Sequence, residues 1–171
     1  MIHWIDQIEN CRIGISARPQ GFNQLENEII ELSSQNINLI ISLLEDYEIE
    51  QFGLNEEELY CKRYNIKFDR LPIQDNLIPG FQRFADKIDS VFFEILNIEN
   101  IVVHCNHGLG RSGLLVAGLL LKSGMNLDSA LEKIALKRGF RCPSSPSQMR
   151  FIKSYDLFLN GQFQHNSSFI K

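Results

Sequence analysis

Ile101-Val102-Val103-His104-Cys105-Asn106-His107-Gly108-Leu109-Gly110-Arg111-Ser112-Gly113 is the stretch that decides the fold. Its opening β-branched run predicts a buried strand. The residues that follow, Leu114-Leu115-Val116-Ala117, predict a helix. Between them lies a loop with glycines at 108 and 110, a cysteine at one end and an arginine at the other. A strand, a glycine-rich loop and a helix N-terminus together make an anion site, because backbone N–H groups converge there and the helix dipole favours negative charge.

Five residues separate Cys105 from Arg111. A loop of that size wraps a tetrahedral oxyanion, with the N–H groups of Asn106, His107, Gly108, Leu109, Gly110 and Arg111 turned inward. Arg111 adds a planar fork for two of the anion's oxygens. The same amides and guanidinium stabilise a negative sulfur, so Cys105 is expected to act as a thiolate that attacks a bound phosphorus in line. A lone cysteine is more often a buried core thiol; Arg111 and the two glycines weigh against that here. His104 and His107 flank Cys105, but no second ligand pair stands at zinc spacing. Neither metal nor cofactor is expected.

His-Cys-x-x-Gly-x-x-Arg-Ser, at residues 104–112, resembles the signature of the cysteine-dependent protein tyrosine and dual-specificity phosphatases. Residues 13–19, Ile-Gly-Ile-Ser-Ala-Arg-Pro, resemble the opening of the subgroup that contains the cyclin-dependent-kinase-associated phosphatases. The resemblance runs from about residue 10 to 158. It implies a phosphocysteine intermediate on Cys105 and phosphate binding by Arg111. It also implies a Ser112 hydroxyl that stabilises the departing thiolate, and a His104 that orients the Cys105 backbone.

A second chemical stretch is Arg70-Leu71-Pro72-Ile73-Gln74-Asp75-Asn76-Leu77-Ile78-Pro79. A strand over 64–73 gives way to a loop, and in α/β sheets the ligand site lies beyond the carboxyl ends of the strands. An alkoxide or phenoxide leaves poorly without a proton, so the chemistry needs an acid. Asp75 is the only carboxylate in this loop. It matches the family's general-acid loop, Pro-Ile-x-Asp-x-x-x-Pro. The bland alternative is a turn residue, a common place for Asp beside Asn.

The rest of the chain alternates strands and helices. Residues 2–5 and 12–15 read as short edge strands. Residues 21–35 show helical spacing, and 38–44 read as a strand buried on both faces. The acidic run 45–59 reads as one or two solvated surface helices. Residues 81–96 form an amphipathic helix, 113–122 a buried central helix and 127–137 another helix. Ser145, Pro146 and Gln148 form a capping box that opens a helix through Leu159. The family often carries Gln-Thr where Ser144 and Ser145 stand, and that Gln places the water of the second step; Gln148 is the other candidate for that task. Residues 1–160 are expected to form one phosphatase domain, with a polar tail over 161–171. The fold class expected is α/β: a central, mostly parallel twisted sheet flanked by helices, protein-tyrosine-phosphatase-like, with a strand–phosphate loop–helix active site.

At 171 residues the chain fits one domain with a proper core. Its net charge of −4 argues against an obligatory nucleic-acid partner. Four scattered cysteines, with no CxxC pair, suit a reducing compartment. No signal peptide, no apolar run of about 18 residues and no prenylation box stand in the sequence. The expectation is therefore a cytoplasmic, monomeric hydrolase without a membrane anchor. Its partner would be a phosphoprotein substrate, phosphotyrosine and also phosphoserine or phosphothreonine. An RNA 5′-phosphatase of the same fold, which would share the His at 107, and a low-turnover phosphate-binding module are the alternatives. A phosphoinositide phosphatase ranks lower, because the loop carries no lysine.

Overall fold

The structure is a computed structural model and describes residues 1–162. Five strands form one sheet in the order β1-β2-β5-β3-β4. They are β1 (His3–Ile8), β2 (Cys11–Ala17), β3 (Leu39–Ser42), β4 (Lys67–Arg70) and β5 (Asn100–Cys105). β1 pairs with β2 antiparallel, and every other pairing is parallel. The helices are α1 (Leu25–Ser34), α2 (Asp46–Phe52), α3 (Glu57–Arg63), α4 (Phe81–Ile95), α5 (Gly110–Lys122), α6 (Leu127–Arg138) and α7 (Pro146–Leu159). The expected α/β class holds. Of the expected tail, residues 163–171 lie outside the described residues.

The strand alternation sorts the core into two layers. Ile13, Ile15, Leu39, Ile41, Ile101 and Val103 share one core with residues of α4, α5, α6 and α7. Ile40 and Val102 point the other way, into a smaller core with Leu25, Ile29 and Cys61 from α1 and α3. Each fully buried aliphatic side chain contributes roughly 1.5–3 kcal/mol. β2 is therefore not an edge strand: it lies between β1 and β5, with Ile13 and Ile15 fully buried. Its short apolar run has the length of an edge strand, but β1 and β5 cover both of its hydrogen-bonding sides.

α5 is enclosed on all sides, and every residue from 111 to 121 is buried. Its spacing is apolar around the whole circumference, as a central helix requires. Gly118 lets α4 come close, since a Cβ there would lie 2.8 Å from both Ile88 and Phe84. Register places the functional end of the sheet: Cys105 ends β5 opposite Ala17, the last residue of β2. The loops that follow β2, β3, β4 and β5 all leave from this carboxyl end.

The acidic run forms α2 and α3, yet two of its carboxylates are not solvated. Glu48 is 4% exposed and Glu57 2%. A buried carboxylate needs a partner, and each of these faces a residue of the Cys105 stretch.

Candidate active site

Cys105 sits at the end of β5, buried beneath the loop. Among the described residues, no backbone N–H from residue 106 to 109 donates to any other group. Gly110 and Arg111 open α5, where helix geometry leaves N–H groups without an internal acceptor. The loop thus offers a run of uncommitted donors at the positive end of a helix. Gly108 is a glycine on two grounds: its φ is +67°, and a Cβ would lie 2.4 Å from the Ser16 carbonyl oxygen. Arg18, just past β2, ties the loop from the side. Its N–H donates to Asn106 O at 3.2 Å and its Nε to Asn106 Oδ1 at 3.2 Å.

Arg111 is 1% exposed. Glu48 holds it with both carboxylate oxygens, Nη1–Oε2 at 2.5 Å and Nη2–Oε1 at 2.8 Å. Nη1 also donates to the Ile73 carbonyl at 2.9 Å. On the other side Nη2 lies 3.2 Å from Asp75 Oδ1, whose side chain is half exposed. Arg111 Nε has no partner among the described residues. Burial works against the guanidinium's charge, but the bond to Glu48 and the charges of Cys105, Glu48 and Asp75 raise its pKa. Burial likewise pushes the Glu48 carboxyl up. The bonds from Arg111 and the Glu45 N–H, and the charge of Arg111, outweigh it and hold that carboxyl below its ordinary value.

His104 lies 1% exposed behind the loop. Its Nε2 is 3.0 Å from Glu57 Oε1 without the alignment of a hydrogen bond. Ser112 Oγ is buried with no hydrogen-bond partner among the described residues, on the first turn of α5. His107 is exposed, and its carbonyl accepts from Arg138 Nη2 at 3.2 Å. Cys142 donates to the Leu109 carbonyl. Burial pushes the Cys142 thiol up to about 12 and the Cys11 thiol up to about 11; it raises that of Cys61 as well. All four cysteines are free. Ser144 is exposed, whereas Gln148 is buried against Gly110.

The structure therefore brings Cys105, Arg111, Ser112, Asp75 and the loop amides to one end of the sheet. It adds Glu48 and Glu57, two carboxylates of the acidic run that turn inward rather than to solvent. One local signal bore on Glu48: it stands three residues after Glu45, and its Oε2 accepts the Glu45 N–H at 3.0 Å in a capping-box arrangement. Beside the loop opens a cleft of about 580 Å³, lined by Arg18, Gln20, Phe22, Gln24, Gln51 and Phe52 among others. Arg18 stacks on Phe52 there, 4.0 Å from the ring centre.

Residues 13–125 match the family described as Tc-R-P: Polymorphic toxin system, DSP-PTPase phosphatase. The Arabidopsis thaliana protein named phosphatidylinositol 3,4,5-trisphosphate 3-phosphatase and protein-tyrosine-phosphatase PTEN1 is 36% identical over 100 residues. That match covers 55% of this chain and only 24% of the plant protein. The PRL-1 phosphatase of Drosophila melanogaster is 28% identical over 148 residues, 82% of this chain and 75% of the fly protein. Among solved structures, a kinase-associated phosphatase carrying serine for its catalytic-site cysteine aligns with a TM-score of 0.81. It is 20% identical, over 96% of this chain and 97% of that one. PTPMT1 aligns with a TM-score of 0.76 at 21% identity, over 95% and 98%. At such identities the two structures speak for the fold.

Proposed function

The chain belongs to the DSP-PTPase phosphatase family, and from that premise we propose that it removes phosphate from phosphotyrosine, and from phosphoserine and phosphothreonine, in proteins through a phosphocysteine on Cys105. The loop amides of residues 106–111 and the Arg111 fork hold the phosphate's oxygens. The Cys105 thiolate attacks phosphorus, an S–P bond forms, and the P–O ester bond breaks with its electron pair on the departing oxygen. Asp75 protonates that oxygen. Water then attacks the phosphocysteine and gives its proton to Asp75. The S–P bond breaks, its pair returns to sulfur, and inorganic phosphate leaves. Ser112 donates to the sulfur as it departs, and His104 supports the Cys105 backbone. Residues 1–160 act as one catalytic domain, monomeric and cytoplasmic; free thiols suit a reducing compartment. Among the described residues no helix is long and apolar enough to cross a membrane.

One observation carries this reading: Arg111 reaches the phosphate loop and the acid loop at once, with Asp75 Oδ1 at 3.2 Å. A phosphate on that guanidinium stands beside the carboxylate that must protonate its leaving group. The loop side chains Asn106, His107 and Leu109 bring no lysine or arginine for further phosphates, which favours a single phosphomonoester on a protein. A phosphoinositide is the second reading, supported by the name of the plant relative.

The test offers p-nitrophenyl phosphate, phosphopeptides, a 5′-triphosphorylated RNA and inositol lipids to the purified protein. Turnover of the aryl ester and the phosphopeptides is expected, and Cys105→Ser abolishes it while phosphate still binds. Preference for the lipids or the RNA would replace the protein reading. Phosphate binding without any turnover would make the chain a binding module.

A further inference from the structure

We propose that Gln148 is the positioning residue that latches the acid loop shut over the phosphate loop. The proposal rests on the reading of Asp75 as general acid. Residues 74–78 are all exposed, so packing alone does not place Asp75. Within that segment three side chains from elsewhere hold the loop: Arg111 at Asp75, Ser147 Oγ to the Asn76 carbonyl at 3.4 Å, and Gln148 Nε2 to the Leu77 carbonyl at 3.1 Å. Gln148, 1% exposed, makes the shorter of the two bonds from α7 and is the more rigidly placed. Ser145 caps α7 by accepting the Gln148 N–H at 3.2 Å, which fixes the first turn that carries the side chain.

The amide's orientation follows from chemistry. A carbonyl only accepts, so the group facing Leu77 O is the NH₂, and Oε1 faces Gly110. That Oε1 is buried with no partner among the described residues. A Cβ at position 110 would lie 2.9 Å from it, so the glycine makes room for the amide. An apolar side chain of the same shape would fill this space without orphaning an acceptor. What Gln supplies beyond shape is the bond to Leu77, and so a link to the acid loop from α7, which packs beside Gly110 of the phosphate loop.

The signature of a lost latch is a misplaced proton donor. Esters with poor leaving groups then suffer, and esters whose leaving group departs unaided do not. Gln148→Met keeps the volume and removes the donor. For phenyl phosphate its kcat/KM is expected to fall about 10–100-fold, against less than about threefold for a fluorinated umbelliferyl phosphate. The activated ester also reports how much enzyme is folded. Should the Met variant fail to fold, Gln148→Glu, which turns an acceptor toward Leu77 O, carries the same comparison. Asp75→Asn is measured alongside. With the poor leaving group, adding Gln148→Met to Asp75→Asn should cost little more. Equal losses on both esters, or none, would overturn the latch. If Asp75→Asn itself shows no leaving-group selectivity, the acid assignment fails first and the latch loses its purpose.

Discussion

Glu48 grips Arg111 with both oxygens, at 2.5 and 2.8 Å, while each residue is almost wholly buried. The cation that we propose holds the phosphate is thus set before any substrate arrives, and three of its Nη donors are already committed, two to Glu48 and one to the Ile73 carbonyl. The orientation of the guanidinium toward the loop is a property of the folded chain rather than of the complex.

Removing one partner of a buried pair leaves the other charge uncompensated, at about 3–5 kcal/mol. Glu48→Ala should therefore be destabilised on that scale in urea unfolding. Glu48→Gln retains an acceptor and should fold. Its kcat/KM should fall about 10–100-fold, or roughly 1.4–2.8 kcal/mol, with a parallel rise in the inhibition constant of inorganic phosphate. Unchanged phosphate affinity would separate Glu48 from the anion site.

The same carboxylate sets a pH dependence. Glu48 titrates below its ordinary value in the folded state. Its contribution is complete above the unfolded pKa of about 4.3 and is lost as pH falls through the lower folded value. Unfolding free energy should therefore decline below about pH 4.5, and less steeply in Glu48→Gln. Denaturant titrations across pH 3–6 check this; identical slopes in the two proteins would refute it.

Gly113 lies against Cys142. A Cβ there would meet the Cys142 Sγ at 2.0 Å, and that sulfur already donates to the Leu109 carbonyl. Gly113→Ala should cost about 1–3 kcal/mol by overpacking. At about 2–4 °C per kcal/mol for a chain of this size, the melting temperature should drop by several degrees. Cys142→Ala removes the clashing sulfur, so the double variant should recover part of the loss. Additive losses would mean that the crowding is relieved elsewhere.

Much of this arrangement is legible in the sequence because local chemistry dictates it. The β-branched run at 101–103, the glycines of the loop and the apolar circumference of α5 each have one good structural solution. Asp75 is legible because it is the only carboxylate in a loop after a strand. Glu48 and Glu57 are not. A charge run looks solvated residue by residue, and only the fold shows which carboxylates turn inward toward Arg111 and His104. A buried arginine demands a counter-charge, but the sequence does not say which of many acids supplies it. Gln148 was half legible. Ser145 does accept its N–H as the cap predicts, while the Gln148 side chain reaches across to Leu77 instead of back to the cap. Such a bond across 71 positions leaves no trace in local pattern.

Arg111 and Ser112 occupy the opening turn of a helix that is sheathed by protein along nearly its whole length. On the proposed mechanism, foldability and reactivity therefore draw on one element of the chain. An inactive allele mapping to this helix reports on chemistry only once the cellular amount of the protein is known, whereas inactive alleles in the exposed acid loop speak for the reaction directly.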